Sequence, residues 1–292
     1  MTVSSTGSTN RLLGATLAFP ASLVVLCIIL VPILLMFRYS FSPYDAVTLI
    51  KEGFTFDHYV HFFNDPYYRK VFGTTVAVAT LCTALALLLG FPVAYFLAKT
   101  QSKYKSLLII LLVFPLMVGN VVRAAGWMVV LGNAGFINAS LVWLGLIQEP
   151  LKLLYTPLAV VIGTTAVVLP YMILTLQSVL EGIDFAIEEA AQNLGANAFI
   201  TFWRILIPVA APGIAAGTML VFILCMNAYA TPVLLGGSGI TMMAPALYGQ
   251  IAKASNWPFG SALALILVVA TLAMALAANW LIHRRYIKTM TS

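Results

Sequence analysis

Four of the nine carboxylates in the chain, Glu181, Asp184, Glu188 and Glu189, fall in one short polar segment. The other five, Asp45, Glu52, Asp57, Asp65 and Glu149, lie in other polar stretches. Clustered acids do proton-transfer or metal chemistry when a base, a nucleophile or a metal ligand converges on them. No such partner is legible. The histidines are His58, His61 and His283; the first two are three apart, and two ligands without a third make a weak metal site. Cys27, Cys82 and Cys225 sit inside apolar runs and read as small hydrophobes. The chain has no Ser/His/Asp constellation and no Gly-x-x-x-x-Gly-Lys-Ser/Thr phosphate loop. We therefore expect no catalytic residue, no metal and no cofactor, and no hydrolysis of ATP by this chain. From its residues alone the acidic segment reads as an amphipathic linker between apolar runs or as a surface that another protein can approach.

That segment continues as Glu189-Ala190-Ala191-Gln192-Asn193-Leu194-Gly195, then Ala196 to Pro208 and Pro212-Gly213. Glu188, Glu189, Ala190, Ala191 and Leu194 suit a short helix whose acidic first turn complements the helix dipole, with Asp184 as its cap. The two alanines leave a flat face that a partner can approach closely. Gly195 lets the chain turn. A second short helix is expected around 197–207, presenting Phe199, Phe202 and Trp203, with Pro208 and Pro212 ending it and starting the next long helix.

The elements that hold this segment are membrane helices. Of 292 residues, 62% are hydrophobic and 8% charged, against roughly a quarter charged in soluble domains. Charge-free apolar runs cover Leu12–Phe37, Val71–Ala98, Ser106–Val122, Leu153–Leu180, Ile205–Ala252 and Ala254–Ile282. A crossing needs about 20 mostly apolar residues. The pattern predicts an all-α, polytopic protein with six transmembrane helices near 13–37, 71–98, 106–131, 155–180, 213–235 and 261–283. It divides into an N-terminal tail (1–11), a membrane domain (12–283) containing the polar loop 181–212, and a C-terminal tail (284–292). The first run is longer than a signal-peptide core and lacks a small-x-small site after it, so we expect it to be retained.

Lys99, Lys103 and Lys105 fall between the second and third helices, Arg11 precedes the first, and Arg284, Arg285 and Lys288 follow the sixth. Cytoplasmic loops carry the excess of Lys and Arg. Both termini and the 181–212 loop are therefore expected in the cytoplasm. The net charge of +6 is mostly this topology signal and implies no nucleic-acid partner. Outside, 38–70 is the largest loop. Its Phe54-Thr55-Phe56-Asp57-His58-Tyr59 and Asn64-Asp65-Pro66-Tyr67-Tyr68 suit an interfacial belt or contact with a soluble partner.

Within the spans, polar residues are few. Arg123 is the one charge, beside Gly119, Asn120 and Gly126. It lines a pathway or anchors a loosened helix against backbone carbonyls. Asn227, Tyr229 and Thr231 interrupt the fifth helix, and Tyr171 follows Pro170 in the fourth. They either bond a passing solute or join helices. None of the nine carboxylates lies well inside a span, although ion-driven transporters usually keep ionisable groups or broken-helix sites there.

The run Glu-Ala-Ala, three residues, Gly, then Ile-Leu-Ile-Pro resembles the cytoplasmic signature loop of the membrane subunits of ABC importers, with Ile207 where Leu is usual. The resemblance extends from about Phe41 to the C-terminus. It is nearest the spermidine/putrescine branch of the binding-protein-dependent permeases. The residues that carry the branch are Val122-Arg123-Ala124-Ala125-Gly126-Trp127 after Phe114-Pro115, Tyr155-Thr156-Pro157, Leu169-Pro170-Tyr171-Met172 and Asn256-Trp257-Pro258-Phe259-Gly260. Permeases for iron, thiamine, phosphonates and opines share parts of this pattern.

The resemblance implies a type I ABC importer permease fold in a bacterial inner membrane. It implies a second homologous permease as partner, two ATPase subunits and an external solute-binding protein. Glu188, Glu189, Ala190, Ala191, Leu194, Gly195, Phe199 and Pro208 would form the element that seats on an ATPase, and Asn120, Arg123, Tyr171, Asn227, Tyr229 and Thr231 would be pathway candidates. An ion-coupled secondary transporter is the competing reading.

Overall fold

The computed structural model describes residues 6–237 and 239–290. Every regular element among them is helical: α1 (Thr6–Tyr39), α2 (Asp57–Asn64), α3 (Pro66–Lys99), α4 (Lys105–Met117), α5 (Asn120–Leu131), α6 (Phe136–Trp143), α7 (Pro157–Leu180), α8 (Ala186–Asn193), α9 (Ala198–Thr201), α10 (Ile207–Met226), α11 (Ala230–Gly236), α12 (Met243–Tyr248) and α13 (Trp257–Met290). Single π-helical turns cover Phe202–Leu206 and Gly249–Lys253. Helical structure begins at Thr6 and runs to Met290, so the terminal helices enter the stretches read as tails. Residues 1–5 and 291–292 of those tails lie outside the described residues.

Six stretches are long and apolar enough to cross a bilayer: Ser22–Tyr39, Pro66–Lys99, Asn120–Trp143, Pro157–Leu180, Ala198–Met226 and Trp257–Ala278. In lipid a spanning helix satisfies every backbone group internally. Hydroxyls inside the spans do likewise, bonding back to their own helix: Thr75 Oγ1 to the Val71 carbonyl (2.8 Å), Thr83 to Ala79 (2.7 Å) and Thr218 to Ile214 (2.7 Å). Helix starts follow the sequence cues. Asp65 accepts from the Tyr67 N–H (2.8 Å), with Pro66 in the first turn of α3. Thr156 caps α7 at the Ala159 N–H (3.3 Å), with Pro157 in its first turn.

The chain forms two compact units. The first, residues 1–62 and 249–265, contains α1, most of α2 and the start of α13. None of Ser22–Tyr39 is buried. Its loop folds on Phe41, which stacks on Phe54 (ring centroids 5.0 Å apart) and meets Phe56 edge-on. His58 donates from Nε2 to the Ser42 carbonyl (2.9 Å), and His61 packs on the Phe259 ring. Among the described residues no three His, Cys, Asp or Glu gather as a metal set.

The second unit, residues 63–248 and 266–292, is built on α3, α7 and α10, which pack against one another. Their shared faces are small: Ala79, Cys82 and Ala86 on α3, Gly163 on α7, and Ala211 and Ala215 on α10 are all buried. Small residues let membrane helices approach closely, where van der Waals packing is the main attraction.

Two spans differ from the sequence expectation. The third, expected unbroken over 106–131, breaks at Val118 and Gly119, both with extended ψ (128° and 145°). Pro115 removes one helix N–H just upstream. The fifth, expected at 213–235, begins further back. Pro208 and Pro212 do not end the preceding helix: α9 passes through the π turn into α10 without a break. The π turn accommodates Pro208, whose missing N–H needs no partner so near a change of helical register. The span then breaks at Asn227–Tyr229 and resumes as α11.

Candidate functional site: a coupling face and a mid-span cavity

The polar loop folds as α8, a turn and α9. Asp184 Oδ1 accepts from the Ala186 N–H (3.0 Å), the first N–H of α8, but the cap position itself falls to Phe185, one residue after the one expected. Gly195 closes α8 with φ +89°, a conformation side chains with a β-carbon disfavour. Its N–H bonds the Gln192 carbonyl, and that of Ala196 bonds Ala191. Asn197 then caps α9 at the Ile200 N–H (2.8 Å).

The structure divides the sequence candidates into two faces. Glu189, Ala190, Leu194, Gly195 and Phe199 are exposed, Leu194 at 90% and Phe199 at 71%. With Trp203, which touches Phe199, they form one outward apolar and acidic surface. Glu188 and Ala191 turn inward. Glu188 Oε2 accepts from Lys99 Nζ (2.9 Å) and from the Tyr95 hydroxyl (2.8 Å), both at the end of α3. Pro208 is half-buried at the start of α10. The neighbouring Glu181 pairs with Lys105 (2.7 Å) and accepts from Gln177 (3.1 Å). Lys105 first, then Gln177, holds the Glu181 carboxyl below the ordinary carboxylate range. The Lys99–Lys105 connector and the polar loop therefore meet at one end of the unit.

The other candidates gather where the two broken spans meet α7. Helices α5, α7 and α11 pack together. A cavity of about 100 Å³ opens among them, lined by Asn120, Thr164, Tyr171, Tyr229 and Thr231 with Val167, Val168, Leu224, Ala228 and Ala230. Asn120 begins α5 directly after its break, and Tyr229 and Thr231 flank the start of α11. Each break thus turns polar side chains toward the cavity. Four of the six sequence candidates line it. Arg123 does not; it donates to Asn120 Oδ1 from the next turn of α5, leaving Nε and Nη1 buried without partners. Asn227 bonds back to the Ile223 carbonyl (2.9 Å) and is exposed outside the cavity.

Sequence reasoning missed Thr164, whose buried hydroxyl lines the cavity without a partner. It stands between glycine and threonine in an apolar run, and only the register of α7 directs it inward. A close approach holds the site together: a β-carbon at Gly163 would lie 2.2 Å from Leu235 Cδ1 and 2.9 Å from Thr231 Cγ2. The cavity is uncharged and lined by both polar and apolar side chains. It can hydrogen-bond a small solute and offers no countercharge to a cation.

The chain matches the family described as binding-protein-dependent transport system inner membrane component over residues 83–285. It is 34% identical over 260 residues to the spermidine/putrescine transport system permease protein PotB of Haemophilus influenzae, covering 88% of this chain and 91% of that protein. It is also 34% identical to PotB of Escherichia coli, covering 86% and 91%. Among solved structures, a bacterial ABC transporter that imports the acidic polysaccharide alginate aligns with a TM-score of 0.74 at 20% identity, over 95% of this chain and 96% of that one. The alginate transporter in complex with its pentasaccharide-bound periplasmic protein aligns with a TM-score of 0.77 at 18% identity, over 96% of both chains. These structures share the fold of this chain.

Proposed function

The chain belongs to the family of binding-protein-dependent transport system inner membrane components, and from that premise we propose that it is one permease half of an ATP-driven polyamine importer. The observation that carries the solute class is the 34% identity to spermidine/putrescine permeases over nearly the whole chain. The outward surface of α8 and α9 fits the power source. It exposes Glu189, Leu194 and Phe199 on a rigid, capped element, as a docking site for a separate ATPase requires. Both termini and this surface face the cytoplasm in this reading, in agreement with the lysines of the 99–105 connector.

The spans contain no acid to neutralise a polycation, and the cavity supplies only hydroxyls, an amide and aromatic rings. Hydroxyls and ring faces attract an ammonium group weakly. Selection therefore resides mainly in the external binding protein, and this subunit supplies a gated path shared with a second homologous permease. Reconstitution with the partner permease, ATPase and binding protein tests the reading. The expected result is ATP-dependent uptake of putrescine or spermidine. Uptake of neither, with ATP-driven uptake of another solute from the same binding protein, contradicts the polyamine assignment.

A further inference from the structure

Two ion pairs clamp the α3–α4 connector to the coupling segment. Lys99 ends α3 and reaches Glu188 at 2.9 Å; Lys105 begins α4 and reaches Glu181 at 2.7 Å. The connector is thus fixed at both of its ends to the segment that carries the outward surface. In the first pair the carboxylate is enclosed while the Lys99 side chain is half exposed. The Glu188 side chain is only 5% exposed, and the Tyr95 hydroxyl bonds both members, donating to Glu188 (2.8 Å) and accepting from Lys99 (3.2 Å). Phe185 closes the cluster, its ring packed edge-on to Tyr95 and 5.5 Å from the Lys99 ammonium. Such a partly desolvated pair is stiffer and less screened than a surface bridge.

We propose that Glu188, Tyr95 and Lys99 form a force-transmitting latch, which makes the end of α3 move with the coupling segment when an ATPase displaces it. Glu188 and Glu189 then have opposite duties: Glu189 meets the partner, and Glu188 ties the loop to the spans. The Lys105–Glu181 pair carries the same displacement to α4, and through it toward α5 and Asn120. Glu188 is a positioning residue, since it faces neither the cavity nor the outward surface. Without the latch, the loop yields to the ATPase while the spans stay in place. Nucleotide is then hydrolysed without transport. The inference rests on the permease reading above and on no particular solute.

The test compares Lys99→Glu, Glu188→Lys and the double exchange in the reconstituted complex, with Lys99→Gln as a milder change at a half-exposed side chain. Putrescine and spermidine uptake and ATP hydrolysis are measured on the same vesicles, per assembled complex. Each single reversal is expected to lower uptake at least about tenfold and to raise hydrolysis without binding protein about threefold or more, a tenfold change being about 1.4 kcal/mol of coupling. Lys99→Gln shifts both in the same directions by less. The double exchange restores both to within about threefold, the cross-connected pair being re-formed. A parallel fall in uptake and hydrolysis, wild-type values in the reversals, or no recovery in the double exchange overturns the latch. Absence of polyamine uptake by the wild-type complex counts against the solute reading alone; the hydrolysis rates still decide the latch.

Discussion

The α8–α9 segment and the cavity among α5, α7 and α11 are built in opposite ways, and in the proposed function they do different work. The first is contiguous: α8, the Gly195 turn and α9 follow one another in the chain, carry their own caps and expose charge and large apolar side chains together. The second is assembled from three separated elements, and its polar groups point inward because two helices are interrupted. A surface that another protein must grip needs a rigid local shape. A path through lipid needs polar groups that stay hidden until helices shift. The contrast explains why damage to the two should read differently: loss of coupling in one, loss of rate or solute preference in the other.

The sharpest way to break that contrast is at Gly195. Its φ of +89° is intolerant of a β-carbon, although nothing lies within 4 Å of one. Gly195→Asp strains the turn by about 1–3 kcal/mol and misdirects the outward surface. Uptake should fall at least tenfold, a loss of ~1.4 kcal/mol or more, while membrane insertion is retained. Wild-type uptake would remove the coupling role. Glu189→Lys comes next. It reverses an exposed charge that makes no internal bond, so the folded amount is unchanged and ATPase co-purification weakens roughly tenfold, about 1.4 kcal/mol. Unchanged co-purification would place the docking surface elsewhere.

In the cavity, Gly163→Val forces Leu235 and Thr231 away from α7. Overpacking of this kind costs about 1–3 kcal/mol. Reduced thermal stability together with slower uptake is the expected result, and neither changing would contradict the packing. The smallest effect should come from Thr231→Val, which keeps the shape and removes a hydroxyl. We expect uptake to change by threefold or less, about 0.6 kcal/mol of binding, with ATP hydrolysis unaltered; a tenfold loss of hydrolysis would mean that this residue belongs to the coupling machinery.

The same contrast governs what the sequence discloses. Six apolar runs and the polar loop were legible because each is a local pattern. The breaks were not. Asn227 to Tyr229 contains neither glycine nor proline, and the upstream prolines, Pro208 and Pro212, drew the boundary too far toward the C-terminus. Pro232 was the available signal: a proline is best tolerated in the first turn of a helix, so a new start close before it follows. The third span hid its break between Pro115 and Gly119, within an apolar run long enough to be read as one helix. The inward placement of Thr164 and the opposite facing of Glu188 and Glu189 required the register of α7 and α8, which adjacent acids in a sequence do not reveal. Arg123 stood out as the lone charge in a span, and the structure ties it to Asn120 at the edge of the cavity.

We propose that this chain moves its solute on power drawn from a separate ATPase at the α8–α9 surface. The most direct test is uptake into vesicles holding the complete complex, with ATP supplied on the ATPase side and the ion gradients collapsed by ionophores. Uptake is expected to require the ATPase and to persist without any gradient. Uptake that continues with the ATPase omitted and disappears with the gradient would contradict it.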